Sequence, residues 1–452
     1  MTTQTSRRQF LRSACALAAT GVASPLAINL AAISAASAQG ATDYKALVYF
    51  SLGGGNDHLS MYVPYDTTSY NRYNAMRGGL ALARAGLLPL TAASPQGGRQ
   101  IGLSGNLTSI KTLYDAQRVA VLANVGSLVQ PVTKPQVVAG TAVYPRLLNS
   151  HYDQTNIWAT LDIANPFGWG GRLGDIFAPG NGSNALFTTI SATGGFSQLL
   201  VGDQTAFFAV NESGAPALFY TPGSTFDAVI NGSAQRTNLL EKAYSQTNEL
   251  LRNGADTLGN AILPESQFPP PPVSLGVSSG AQQLLTVARI IGAQAALGVR
   301  RQVFYVDLGS GFDSHNGQAY EHPRNMTRLN EALAYFDVLL GQLNMRNNVT
   351  LFTGSEFGRT LIPNGDGTDH GWASHHLVMG GKVRGGNIYG ALPTIEPDGP
   401  DFIGGSNMIP TIAVEQYAAT LGKWMGVSDT NLDDIFPNLT RFATRDLGFM
   451  MA

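Results

Sequence analysis

Residues 46–58 read ALVYFSLGGGNDH. An apolar run rich in β-branched and aromatic residues breaks into three glycines and then delivers Asn56, Asp57 and His58. Such a run, bounded by turn residues, predicts a strand buried on both faces. The form repeats. QVFYVDL (302–308) runs into GSGFDSHNGQ, with Asp313 and His315, and VTLFTG (349–354) runs into SEFGRT, with Glu356 and Arg359. RVAVLANV (118–125) and HLVMGG (376–381) have the same strand composition. Three times, therefore, an expected strand hands ionisable side chains to the turn beyond its carboxyl end.

Between these runs lie helical patterns. Met326, Leu329, Leu333, Phe336, Leu340 and Leu343 recur at spacings of three and four over 324–344, and Pro323 stands near the start. Leu284, Val287, Ile290 and Ile291 mark a second apolar face over 279–298. Strands alternating with helices predict an α/β fold, a doubly wound, mostly parallel sheet covered on both faces. Open sheets of that kind bind ligands at the carboxyl ends of their strands. Residues 155–275, with weak periodicity and the proline run FPPPP (268–272), read as an insertion or cap.

Of 452 residues, 13% are charged and 44% hydrophobic, which suits a chain with a sizeable core. The formal charge of −2 comes without a basic block, so nucleic acid is not an expected partner. TSRRQFLRS (5–13) resembles a twin-arginine export signal, and Ala36-Ser37-Ala38 reads as its cleavage site. Residues 1–38 are thus expected to be a signal peptide and 39–452 the folded α/β domain. The chain would be carried by the twin-arginine translocase to the periplasm or beyond, with no stable membrane span after cleavage. Cleavage removes Cys15, the single cysteine, so no disulfide or thiolate chemistry is expected.

Residues 366–376, DGTDHGWASHH, hold three of the seven histidines. Carboxylates and neutral imidazoles are the remaining strong ligands for zinc-like ions. Asp57, Asp313, His315, Asp369, His370 and one of His375 or His376 would supply ligands for two divalent metals. Arg359 could grip an anionic substrate through its forked guanidinium, or pair with Glu356. Asp57 could equally cap a helix. NGDGTD (364–369) starts like a calcium loop, but position twelve is His375 rather than glutamate. GVSSG (276–280) lacks the strand that a nucleophile elbow needs.

The export signal, LVYFSLGGGNDHLSMYVPY, SHYDQTNIW, GFDSHNGQ, SEFGRTLIPNGDGTDHGW and GGKVRGGNIYGALP, in this order, resemble the exported bacterial domain-of-unknown-function family 1501. That family is similar to the alkaline phosphatase and sulfatase superfamily. The resemblance implies an alkaline-phosphatase-like core with a two-metal site. It sets Asp57 with Asp369 and His370 at one metal, and Asp313 and His315 with His375 or His376 at the other. Ser150 stands where the superfamily places its nucleophile, although it could simply cap the helix that follows. The absence of a Cys-x-Pro-x-Arg stretch excludes a formylglycine sulfatase. The implied function is hydrolysis or transfer of phosphate or sulfate esters, small or polymeric. The alternative is a non-catalytic exported protein of the same fold that binds an envelope polymer or partner.

Overall fold

The computed structural model describes residues 43–216, 237–273, 279–396, 398–404 and 406–451. The expected signal segment and the Ser278 of GVSSG lie outside them. The main sheet has nine strands. In chain order they are β1 (Lys45–Ser51), β2 (Val119–Gly126), β3 (Thr189–Ser191), β4 (Phe208–Ala209), β5 (Arg301–Asp307), β6 (Val349–Gly354), β7 (Ser374–Gly380), β8 (Ile388–Tyr389) and β9 (Ile412–Ala413). Across the sheet they run β8-β2-β7-β6-β1-β5-β3-β4, with β9 also paired to β2. Pairing is parallel except around β7, which is antiparallel to both β6 and β2. The five strands expected from sequence are all present, each within two residues of its expected bounds.

Two-residue periodicity explains why both faces are covered. Ala46, Val48 and Phe50 of β1 enter one apolar cluster, whereas Leu47 and Tyr49 enter the other. On the first face lie α1 (Thr108–Asp115) and two later helices, α4 (Ser279–Gly292) and α5 (Gln318–Gln342). On the second lie α2 (His151–Thr160), α3 (Trp169–Phe177) and α6 (Val414–Met425). The apolar stripe read over 324–344 is the inner face of α5: Met326, Leu329, Leu333 and Phe336 are fully buried. Each such side chain contributes about 1.5–3 kcal/mol of burial free energy.

The stretch 155–275 is woven into this sheet rather than only laid over it. Its β3 pairs with β5 and its β4 with β3, so it extends the sheet by two strands. These strands are only two or three residues long, too short to leave a period in the sequence. Among the described residues no helix is long and apolar enough to cross a membrane.

Candidate metal centre

Register fixes where the chemistry sits. Ser51 at the end of β1 stands beside Asp307 of β5 on one side and Gly354 of β6 on the other. The turns after all three strands therefore leave the sheet at one level. β7 runs the opposite way, so its amino end, Ser374, lies opposite Val125 near the end of β2. The segment 366–373 thereby reaches the same edge. α2 begins there too, since its first residue, His151, lies 2.7 Å from Glu356 and 3.4 Å from Asp313.

These turns are bolted together by backbone contacts. Gly54 has a φ of +109°, and a Cβ there would collide with the backbone nitrogen of Asp313. Its own N–H donates to Glu356 Oε1 at 2.9 Å. Gly367 passes so close to the His315 backbone that any side chain would strike it. Thr368 N donates to Ser314 O at 3.0 Å, and Gly317 N to Asp366 Oδ2 at 3.0 Å.

Arg359 is the centre of this framework. Its guanidinium, 1% exposed, donates to the carbonyls of Gly55 (2.9 Å), Thr368 (2.8 Å), Phe312 (3.3 Å) and Gly54, and to Asp313 Oδ1. Its ion-pair partner is Asp313 and not Glu356. With every donor direction turned inward, Arg359 holds three turns in place and does not present a fork to a ligand.

At the rim the structure gathers three imidazoles around one carboxylate. One ligand atom from each of His151, Asp313 and His370 lies within 4.8 Å of the others. His151 Nε2 is 3.4 Å from Asp313 Oδ2, and His370 Nε2 is 3.4 Å from Asp313 Oδ1. His315 Nε2 lies 3.2 Å from the same Oδ1 and 2.8 Å from His370 Nε2. Asp369 stands at the edge, its Oδ1 3.4 Å from His315 Nδ1 and 2.7 Å from Asn364 Nδ2.

The outer nitrogens of two of these rings are already spoken for. His370 Nδ1 donates to the Asn149 carbonyl at 2.6 Å, which leaves its Nε2 lone pair facing the cluster. His151 Nδ1 lies 2.7 Å from Glu356 Oε1, and its buried Nε2 has no hydrogen-bond partner. A carboxylate or carbonyl behind an imidazole fixes tautomer and orientation in the manner of metal-ligating histidines. The His370 ring is further clamped by stacking on Phe357 at 4.5 Å and by the edge of His151 at 4.4 Å. The orphaned Nε2 and this donor set fit a divalent, zinc-like cation.

Charge at the site follows from the same contacts. The hydrogen bond that His151 donates to Glu356 raises the His151 pKa, against the effect of burial. Burial lowers that of His370, despite its bond to Asn149. Burial would raise the Asp313 carboxyl, but the bond and charge of Arg359 hold it below its ordinary value.

Asp57, His375 and His376 are not brought to this cluster. Asp57 is fully buried and caps the single turn His58–Met61, accepting from Leu59 N (3.2 Å) and Ser60 Oγ (2.6 Å). It also accepts from Arg77 and Gln318. Burial works to raise its pKa, yet the Arg77 guanidinium wins and holds it at about 2. His375 and His376 lie inside β7. The first accepts from Asn124 N at 3.0 Å, and the second packs between Trp158 and Tyr417 with neither nitrogen bonded. Burial pushes them down to about 4 and about 3. Both are thus neutral core histidines, and the crowding in DGTDHGWASHH arises because the segment passes from the rim into the core.

Ser150 is the N-cap of α2. It accepts from Asp153 N at 3.3 Å, and its hydroxyl donates to the Asp153 carboxylate. His151, the residue after it, is the one that sequence reasoning missed. SHYDQTNIW reads as a helix start, and nothing in it marks the imidazole one position after the cap as a ligand. The place of Glu356 past a strand end is legible in the sequence, but its role behind His151 depends on a contact between residues 205 positions apart.

Beside the cluster opens a cavity of about 550 Å³, whose lining includes His151, Asp313 and Glu356 together with Tyr49, Trp158 and Asp307.

No curated protein matches the sequence. Among solved structures, the chain is similar to the PsFucS1 sulfatase from Pseudoalteromonas sp., at 10% identity over 95% of this chain and 78% of that one, with a TM-score of 0.38. It is also similar to the lipoteichoic acid synthase LtaP from Listeria monocytogenes, at 8% identity over 81% and 72%, with a TM-score of 0.31. Similarity at that level says nothing of chemistry, which has to be read from the side chains. Residues 236–436, less than half of the chain, match the family model described as protein of unknown function (DUF1501).

Proposed function

We propose that the protein is a metal-dependent hydrolase or transferase acting on phosphate or sulfate esters outside the cytoplasm, reached by the twin-arginine route. The observation that carries this is the convergence of His151 from the start of α2, Asp313 from the turn after β5 and His370 from the segment before β7, with an unpartnered His151 Nε2 aimed at Asp313. His151, Asp313 and His370 would hold the ion, and His315 stands close enough to join them. A divalent cation there would supply Lewis acidity toward an ester oxygen. Glu356 and the Asn149 carbonyl hold the two rings in place, and Arg359 fixes Asp313. A second ion, as expected from sequence, would draw on His315 and Asp369, because Asp57 is committed to Arg77.

The test is metal analysis of the purified protein alongside a screen of nitrophenyl phosphates and sulfates. One equivalent of zinc or a similar ion is expected in the parent. His151→Ala and Asp313→Asn should each lower metal affinity by about ten- to a hundredfold, as loss of a ligand or its support does elsewhere. A parent that binds no divalent ion removes the reading. The non-catalytic alternative draws on a specific observation: Arg359 turns all its donors inward and Ser150 is occupied as a cap. A metal-loaded parent inert toward every ester would favour that alternative.

A further inference from the structure

The cavity next to the cluster carries a chemical signature of its own. Tyr49, Trp158, Tyr305 and Phe196 contribute aromatic surface to its wall, and Asp307 and Glu356 contribute carboxylates. Among the described residues no lysine or arginine lines it. Tyr49 and Tyr305 stack at 5.6 Å, and Trp158 meets Tyr49 at 6.3 Å, so three rings form one continuous wall. Phe196, 70% exposed, stands at the mouth.

The acids differ in what balances them. Asp313 is paired with Arg359, and Glu356 with His151. Asp307 ends β5 and accepts from Gly309 N at 2.9 Å, yet has no cationic side chain opposite it among the described residues. Burial raises its pKa, and the nearby Glu356 adds to the effect, which marks a place where positive charge is wanted. An anion placed against Asp307 and the aromatic wall would be repelled. A neutral group would leave the carboxylate unmatched.

We infer that this cavity recognises an organic ammonium group, which would lie on the Tyr49–Tyr305–Trp158 wall with Asp307 as its counter-ion. Aromatic faces attract alkylammonium ions through their quadrupoles, and a carboxylate at the same place supplies the formal charge. Resting on the ester reading above, the inference narrows the substrate to an ester whose alcohol carries an amine or quaternary ammonium. The anionic end would meet the imidazole cluster and the cationic end would fill the cavity. Without that reading, the ammonium pocket stands as a binding site.

The experiment is calorimetric titration of the purified protein with choline and with its uncharged isostere 3,3-dimethylbutan-1-ol, with and without added zinc. Choline should bind at least about tenfold more tightly than the isostere. Asp307→Asn keeps an acceptor for Gly309 N and should remove most of that preference, with metal content unchanged. Equal binding of the two ligands would reduce the cavity to an apolar slot and overturn the inference. So would failure of choline to bind, or an unaltered preference in the Asp307→Asn protein. Choline binding by a protein that takes up no metal would refute the ester reading alone. Metal uptake without choline binding would refute the pocket alone.

Discussion

Lowering the pH from 7 to 5 should remove several kcal/mol of stability from this protein, and the cause lies in buried histidines outside the His151–Asp313–His370 cluster. His322, His375 and His376 are buried in the fold, where loss of solvation pushes their pKa values to about 4, about 4 and about 3. His58 is also buried, with its pKa well below the ordinary value, and both of its nitrogens lack partners. The direction follows from linkage. As the pH falls through the ordinary histidine value of about 6.5, the unfolded chain takes up protons that the folded one refuses. Stability is therefore full above that value and declines below it, until the pH reaches the folded-state values. Integrated from pH 7 to pH 5, each histidine with a folded pKa near 4 or below costs about 2 kcal/mol. The three with assigned values give about 6 kcal/mol, offset by about 2 kcal/mol from Glu415, whose buried carboxyl is raised to about 7 and takes up a proton in the folded state over the same window, so the net loss is about 4 kcal/mol. Guanidinium chloride unfolding at the two pH values reads this directly, as a shift in midpoint with the slope held constant. His376→Phe isolates one contribution. The ring sits between Trp158 and Tyr417 and makes no hydrogen bond, so a phenyl group should pack there without loss. That variant should lose about 2 kcal/mol less than the parent between pH 7 and pH 5. Parent and variant losing equal stability, or a parent whose stability is flat across the window, would refute the reasoning.

Two substitutions at the rim separate framework from chemistry. Arg359→Met removes a buried cation that bonds four carbonyls and Asp313, and should cost about 3–5 kcal/mol in chemical unfolding; a loss under about 1 kcal/mol would show that the turns hold without it. Ser150→Ala removes the N-cap of α2 and should cost about 1 kcal/mol while metal content stays that of the parent. Complete loss of an ester-cleaving activity in that variant, with the metal retained, would instead make Ser150 the nucleophile.

The sequence displayed the central strands and the two long helices because each has a period and a length that survive any context. It also showed that ionisable residues follow strand ends, and the registers of β1, β5 and β6 turn that linear fact into a spatial one. What it hid was depth. Asp313 and His315 leave their strand by a turn of several residues and reach the rim. Asp57 follows a tight glycine turn straight into a helix cap, where Arg77, twenty residues on, claims it. Nothing in GGGNDH separates these fates, because the discriminating residue is distant. The same holds for His375 and His376, which share a short segment with His370 yet belong to a strand whose every residue is buried. β3 and β4 stayed hidden because two or three residues make no pattern.

The protons of the cluster favour a cation over a purely hydrogen-bonded arrangement. His370 Nδ1, 2.6 Å from a carbonyl oxygen, must carry a hydrogen, so the neutral ring presents a bare Nε2. His315 Nε2, 2.8 Å away, can satisfy it by donating, and that contact closes without a metal. His151 does not close in the same way. With Nδ1 donating to Glu356, its Nε2 in the neutral ring is a lone pair, and the atom in front of it is a carboxylate oxygen that has no proton to give. Protonating the ring would turn that repulsion into attraction, and the raised pKa of His151 shows that Glu356 pulls in this direction. A divalent ion would satisfy the His151 nitrogen, the His370 nitrogen and the Asp313 oxygen at once, where a proton would satisfy only one of the lone pairs. Proton and metal therefore compete for the same nitrogen, and any metal affinity of the site has to weaken as the pH falls through the raised His151 value.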